Sequence, residues 1–125
     1  MTSLSFNDWD LEKHVADAIS QLGWEEPTQI QVEAIPFARK GMDVVGQART
    51  GSGKTAAFGI PIIESCKPNS STQAIVLCPT RELAVQVAEE LQSLQGKKGL
   101  SIETVYGGTD IEKQARLLDK GVDVI

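Results

Sequence analysis

The sequence predicts an α/β layered fold with a mostly parallel sheet, truncated to about four strands. Three observations carry that expectation. Short apolar runs near 43–47, 74–78, 101–106 and 122–125 alternate with stretches whose apolar residues recur at helical spacing. The run Ala74-Ile75-Val76-Leu77-Cys78 is continuously apolar, as in a strand buried on both faces. Between the first run and the helix after it lies a Gly-rich turn at 48–55.

Taken in order, Leu11, Val15, Ala18, Ile19 and Leu22 repeat at helical spacing, and Gly23 stands where that helix would stop. The stretch Gly23–Gln31 leads into a second helix. Thr28 suits its N-cap, and Gln31, three residues on, completes a capping box. Pro36 suggests a kink or break, and the helix closes near Arg39-Lys40-Gly41. The helix after the Gly-rich turn runs to about Ser65, with Pro61 a bend, and 67–72 is a turn-rich loop. Thr80 caps a helix from Arg81 to about Leu94, with Leu83, Val87, Leu91 and Leu94 on one side. Lys97-Lys98-Gly99 reads as a solvated turn. Thr109-x-x-Glu112 is a second capping box, opening a helix that carries Ile111, Ala115 and Leu118 and ends at Gly121. Two parts follow: residues 1–41, two helices, and 42–125, an α/β core.

The chemistry concentrates in Ala48-Arg49-Thr50-Gly51-Ser52-Gly53-Lys54-Thr55, with Ala56 next. Strand, Gly-rich turn, Lys-Thr and helix in this order make a phosphate-binding loop, although Ala48 replaces the first Gly of the strict pattern. Gly51 and Gly53 let successive N–H groups point into one concavity. The following helix aims its free donors and positive dipole end at the same place. Lys54 is then placed to meet β/γ-phosphates and the Thr55 hydroxyl to ligate Mg²⁺.

A net charge of −5 gives no bulk positive field, so any nucleic-acid contact must be local. No apolar run reaches membrane-spanning length, and no basic region followed by an apolar core opens the chain. Cys66 and Cys78 lack metal-ligand spacing and read as reduced thiols of a cytoplasmic protein.

Three motifs in series resemble the first RecA-like domain, a three-layer sandwich of the P-loop NTPase type, of a DEAD-box ATP-dependent RNA helicase. Gly23–Gln31 looks like the Q motif of that family, with Phe6 where the family has an upstream aromatic. Ala48–Thr55 matches its form of the phosphate loop, and Pro79-Thr80-Arg81-Glu82-Leu83-Ala84 matches the next motif. Tyr106-Gly107-Gly108 sits where the family has a Gly-Gly turn. The resemblance implies ATP and Mg²⁺ as cofactors and RNA as partner. It implies that Gln31, within Thr28–Gln31, reads the adenine edge and that Trp24 stacks on the base. Read from the residues alone, Gln31 is a helix cap and Trp24 a staple or core residue. Phe6 either packs behind the base or pins the first helix. By the same resemblance Pro79, Thr80, Arg81, Gly107 and Gly108 touch the RNA backbone. The plain alternative is that Thr80 only caps and Arg81 pairs with a carboxylate.

The Asp-Glu-Ala-Asp motif, the Ser-Ala-Thr motif and the second RecA-like domain have no counterpart in these residues. The resemblance therefore implies an N-terminal piece of a helicase, with little or no ATP turnover by itself. In such a sheet, later strands separate the phosphate-loop strand from the one ending at Cys78. The expectation is that the phosphate-loop strand pairs directly with another of the four, or that a second copy fills the gap. A stand-alone phosphate- or nucleic-acid-binding module is the alternative function.

Overall fold

The computed structural model describes residues 4–69, 71–108 and 110–125. A 3₁₀ turn at Phe6–Trp9 precedes five helices: α1 (Lys13–Gln21), α2 (Gln29–Arg39), α3 (Lys54–Ser65), α4 (Arg81–Gln95) and α5 (Ile111–Asp119). Local caps set most of these starts. Thr28 and Gln31 form the reciprocal box at α2, and the Leu83 N–H donates to the Thr80 hydroxyl at 3.1 Å at α4. At α5 the cap is Asp110, whose carboxylate accepts from the Lys113 N–H at 3.2 Å. The expected cap residue Thr109 lies outside the described residues. Helices α2 and α3 continue through Pro36 and Pro61, and α3 begins at Lys54 itself.

Helix α3 is the centre of the helical layer and packs against α2, α4 and α1. Ile60 and Ile63 of α3, Ile35 of α2, Val15 and Ile19 of α1, and Leu91 and Leu94 of α4 are all buried together. Each such side chain contributes about 1.5–3 kcal/mol on burial. The α3–α4 approach is close because residue 59 is Gly: a Cβ there would stand 2.7 Å from Leu91 Cδ2.

The parallel sheet expected from the sequence does not form. Among the described residues there is no strand, only two isolated parallel bridges, Ala74–Val124 and Ile102–Val124. Residues 122–125 lie between the other two segments. The Val76 N–H donates to the Ile125 carbonyl at 2.8 Å on one side, and the Glu103 N–H to the Val124 carbonyl at 3.0 Å on the other. Pairing on each side is limited to a single bridge. The run 43–47 makes no bridge at all, so direct pairing of the phosphate-loop strand is excluded too. Val45 is fully exposed. Ile75 and Leu77 are exposed while Val76 and Cys78 are half-buried, so 74–78 is covered on one face and open on the other. An apolar run makes a strand only when another segment pairs with it, and for most of these residues none does.

The 97–99 turn also departs from expectation. Lys98 is nearly buried and pairs with Glu12 at 2.7 Å. Its ammonium also donates to the carbonyls of Ile63 and Glu64 at the C-terminal end of α3. A cation there satisfies free carbonyls and meets the negative dipole end. Nearby, the Arg39 guanidinium contacts Glu64 at 3.0 Å and donates to the Trp9 carbonyl at 2.6 Å, tying α2 to the 3₁₀ turn. No helix among the described residues is long and apolar enough to cross a membrane.

Candidate functional site

The phosphate loop is held from one side by the first turn of α2. Gly51 and Gly53 have φ of 79° and 87°, the left-handed region that bends the chain twice within three residues. The Ser52 N–H and hydroxyl both donate to the Arg49 carbonyl, which closes the turn. Arg49, Thr50 and Lys54 are exposed, Ala48, Ser52 and Thr55 half-buried, and Ala56 buried in the helical core. The loop thus offers a basic, hydroxyl-bearing rim on a fixed base. The first turn of α3 has no intrahelical acceptors for its N–H groups, which suits an anion.

Gln31 is the fastening. Its side chain is buried; its oxygen accepts from the Thr28 N–H at 3.0 Å and its amide nitrogen donates to the Gly53 carbonyl at 3.1 Å. A Cβ on residue 53 would fall 2.4 Å from that nitrogen and 2.9 Å from the Thr28 hydroxyl. The capping role and the contact to the phosphate loop are therefore made by one amide at once. The sequence signals the first; nothing in it signals the second.

Phe6 is buried and Trp24 is 39% exposed, with ring centroids 6.2 Å apart and planes tilted by 30°. Phe6 also meets Trp9 edge to face at 5.7 Å. Trp24 is therefore neither a core residue nor free: Phe6 backs one side of it. Both line a cleft of about 690 Å³ with Ser5, Ser20 and Glu25, and no residue of the phosphate loop is in that lining. The structure joins Thr28 and Gln31 to the phosphate loop, and groups Phe6 and Trp24 separately on the cleft beside them.

A second cluster lies at the N-terminus of α4. The Arg81 guanidinium sits 5.0 Å over the Tyr106 ring and donates to the Gly107 carbonyl at 3.3 Å. It pairs with no carboxylate in the described ion pairs. A Cβ on residue 108 would meet Arg81 Nη2 at 3.0 Å, so Gly108 leaves room for the guanidinium. Gln114 of α5 holds the turn from behind, accepting from the Tyr106 N–H at 2.8 Å and donating to its carbonyl at 3.1 Å. Pro79, Thr80, Gly107 and Gly108 are exposed around this cluster. Tyr106 and Gln114 as supports were not legible, because a side chain bonding both polar groups of a distant residue leaves no periodic trace.

Comparison with known proteins gives the family of the chain. A family model described as DEAD/DEAH box helicase matches residues 28–125. The chain is 47% identical over 124 residues to the DEAD-box ATP-dependent RNA helicase CshA of Bacillus subtilis (strain 168), covering 98% of this chain and 25% of that protein. It is 48% identical over 116 residues to the probable ATP-dependent RNA helicase MJ0669 of Methanocaldococcus jannaschii, covering 92% of this chain and 32% of the relative. The crystal structure of a DEAD box protein from the hyperthermophile Methanococcus jannaschii superposes with a TM-score of 0.90 at 46% identity, over 97% of this chain and 34% of that one. The RNA helicase Prp28 from Chaetomium thermophilum, bound to ADP, gives 0.81 at 36% identity, over 100% of this chain and 31% of that one. The chain spans about a quarter to a third of the length of the proteins it matches. With the family model covering most of its residues, this chain belongs to the DEAD/DEAH box helicase family.

Proposed function

We propose that this chain carries the ATP-binding and part of the RNA-binding surface of an ATP-dependent RNA helicase, within a partial RecA-like unit. The single observation behind this reading is the Gln31–Gly53 hydrogen bond, which makes the adenine-reading amide and the phosphate loop one mechanical unit. The residues present fit ATP with Mg²⁺. The double left-handed bend at Gly51 and Gly53 suits a phosphate cradle, and the exposed Lys54 is free to meet the phosphates. The hydroxyl of Thr55, in the first turn of α3, is the group that would hold Mg²⁺; the ion would neutralise phosphate charge.

The roles of the other residues follow. Thr28, Gln31 and Trp24 select and seat the adenine, with Phe6 behind Trp24. Backbone N–H groups of Ala48 to Ala56, other than that of Ser52, which closes the turn on Arg49, bind phosphate oxygens. Pro79, Thr80, Arg81, Gly107 and Gly108 grip the RNA backbone without reading bases. That an ADP-bound helicase superposes on this chain supports the nucleotide part. The two unpaired thiols support a cytoplasmic setting. The exposed Val45, Ile75 and Leu77 favour association of copies at high concentration.

The test is calorimetric titration of ATP and GTP with Mg²⁺ into the chain, its Gln31→Ala and its Lys54→Ala variants. ATP should bind more tightly than GTP; Gln31→Ala should erase that preference and Lys54→Ala should abolish binding. Equal binding of ATP, GTP and inorganic triphosphate by the unaltered chain would leave a general phosphate binder and refute the adenine reading.

A further inference from the structure

We infer that Lys113 and Arg116 of α5 and Lys120, its C-cap residue, form a docking rail for the sugar-phosphate backbone of RNA, continuing the contact surface that begins at Arg81. The inference rests on the RNA reading above. The three cations stand at i, i+3 and i+7, which places them in one row along the helix. All three are exposed, and their aliphatic stems, with Gln114 and Leu117, line one largely apolar cleft of about 440 Å³. Among the described residues none of the three is in an ion pair. Glu112 and Asp119 of the same helix are outside the cleft lining.

Three further facts give the row a purpose. The chain as a whole carries a charge of −5, so a polyanion gains nothing from the net charge and must be held where cations are gathered locally. Helix α5 buries none of its residues, and Ile111 at its start is 76% exposed, so core packing does not explain its composition. Gln114 bonds both backbone groups of Tyr106, and Arg81 lies over the same ring. The row is thus mechanically continuous with the turn at Gly107 and Gly108. From Lys113 to the end of α5 at Asp119 the helix rises about 9 Å.

The test is fluorescence anisotropy of a labelled oligouridine with the whole chain across a salt series. The variant carrying Lys113→Gln, Arg116→Gln and Lys120→Gln should lose about tenfold or more in affinity at low salt. Its log–log salt slope should flatten by about 2, as expected for three lost phosphate contacts on a single strand. A variant with the same charge change elsewhere, Lys13→Gln, Lys40→Gln and Lys97→Gln, should keep the slope, as should Lys113→Arg with Lys120→Arg. An unchanged slope in the row variant, with Arg81→Ala still weakening binding, would overturn the rail and leave the RNA reading standing. Absence of salt-dependent oligouridine binding by the unaltered chain would overturn both, and the ATP-against-GTP titration would then stand alone.

Discussion

The side-chain amide of Gln31 donates a hydrogen bond to the backbone carbonyl of Gly53 across 3.1 Å, and the same carbonyl accepts the Ala57 N–H at 3.2 Å. The first turn of α2, the phosphate loop and the first turn of α3 therefore meet at one acceptor.

Substitution at Gly53 tests this junction. Gly53→Ala places a methyl 2.4 Å from Gln31 Nε2 on a backbone with φ of 87°. The variant should be destabilised by about 1–3 kcal/mol, read as a lower urea midpoint with an unchanged m-value. Gln31→Ala opens the space, so the double variant should be less destabilised than the two single changes added together. Strict additivity would mean that the two residues do not press on each other.

Lys98 anchors the C-terminal end of α3. Its ammonium is nearly buried, while Glu12 keeps about a third of its exposure. Lys98→Met should cost about 1–3 kcal/mol, between the values for surface and buried pairs. Lys97→Met, on an exposed neighbour, should stay within about 0.5 kcal/mol. Chemical denaturation of both variants decides the matter, and equal effects would contradict the buried anchor.

Cys66 sets a pH dependence. Burial pushes its thiol above the ordinary value of 9.0. The folded state therefore keeps this proton at pH values where the unfolded chain has begun to lose it. The contribution to stability is complete below about pH 9 and is lost as pH rises above it. Comparing urea midpoints at pH 7 and pH 10, the loss should be smaller for Cys66→Ala than for the unaltered chain. At neutral pH Cys78, half-buried, should alkylate faster than Cys66.

Val45 and Leu77 are 102% and 90% exposed. Val45→Thr with Leu77→Lys should change stability by no more than about 0.5 kcal/mol. Sedimentation at high protein concentration should show less association for this variant than for the unaltered chain. Equal association would place the contact on some other surface.

The helices were legible in the sequence because their signals are local. Thr28 and Gln31, or Thr80 and Leu83, are three residues apart and can cap a helix whatever the rest of the chain does. The bend at Gly51 and Gly53 and the Lys-Thr pair that follows it are equally local. Much of the candidate site was readable for that reason. Strand pairing was not. An apolar run such as 43–47 has the composition of a strand, but only a neighbouring segment makes it one, and that neighbour is a matter of tertiary structure. The burial of Lys98, the seat of Arg81 over Tyr106 and the grip of Gln31 on Gly53 are of the same kind. The sequence by itself determined where most helices begin, the cap of α5 at Asp110 apart, and which residue types could hold a phosphate. The tertiary structure decided which of those residues meet, since contacts between residues 20 to 90 positions apart depend on how the whole chain packs.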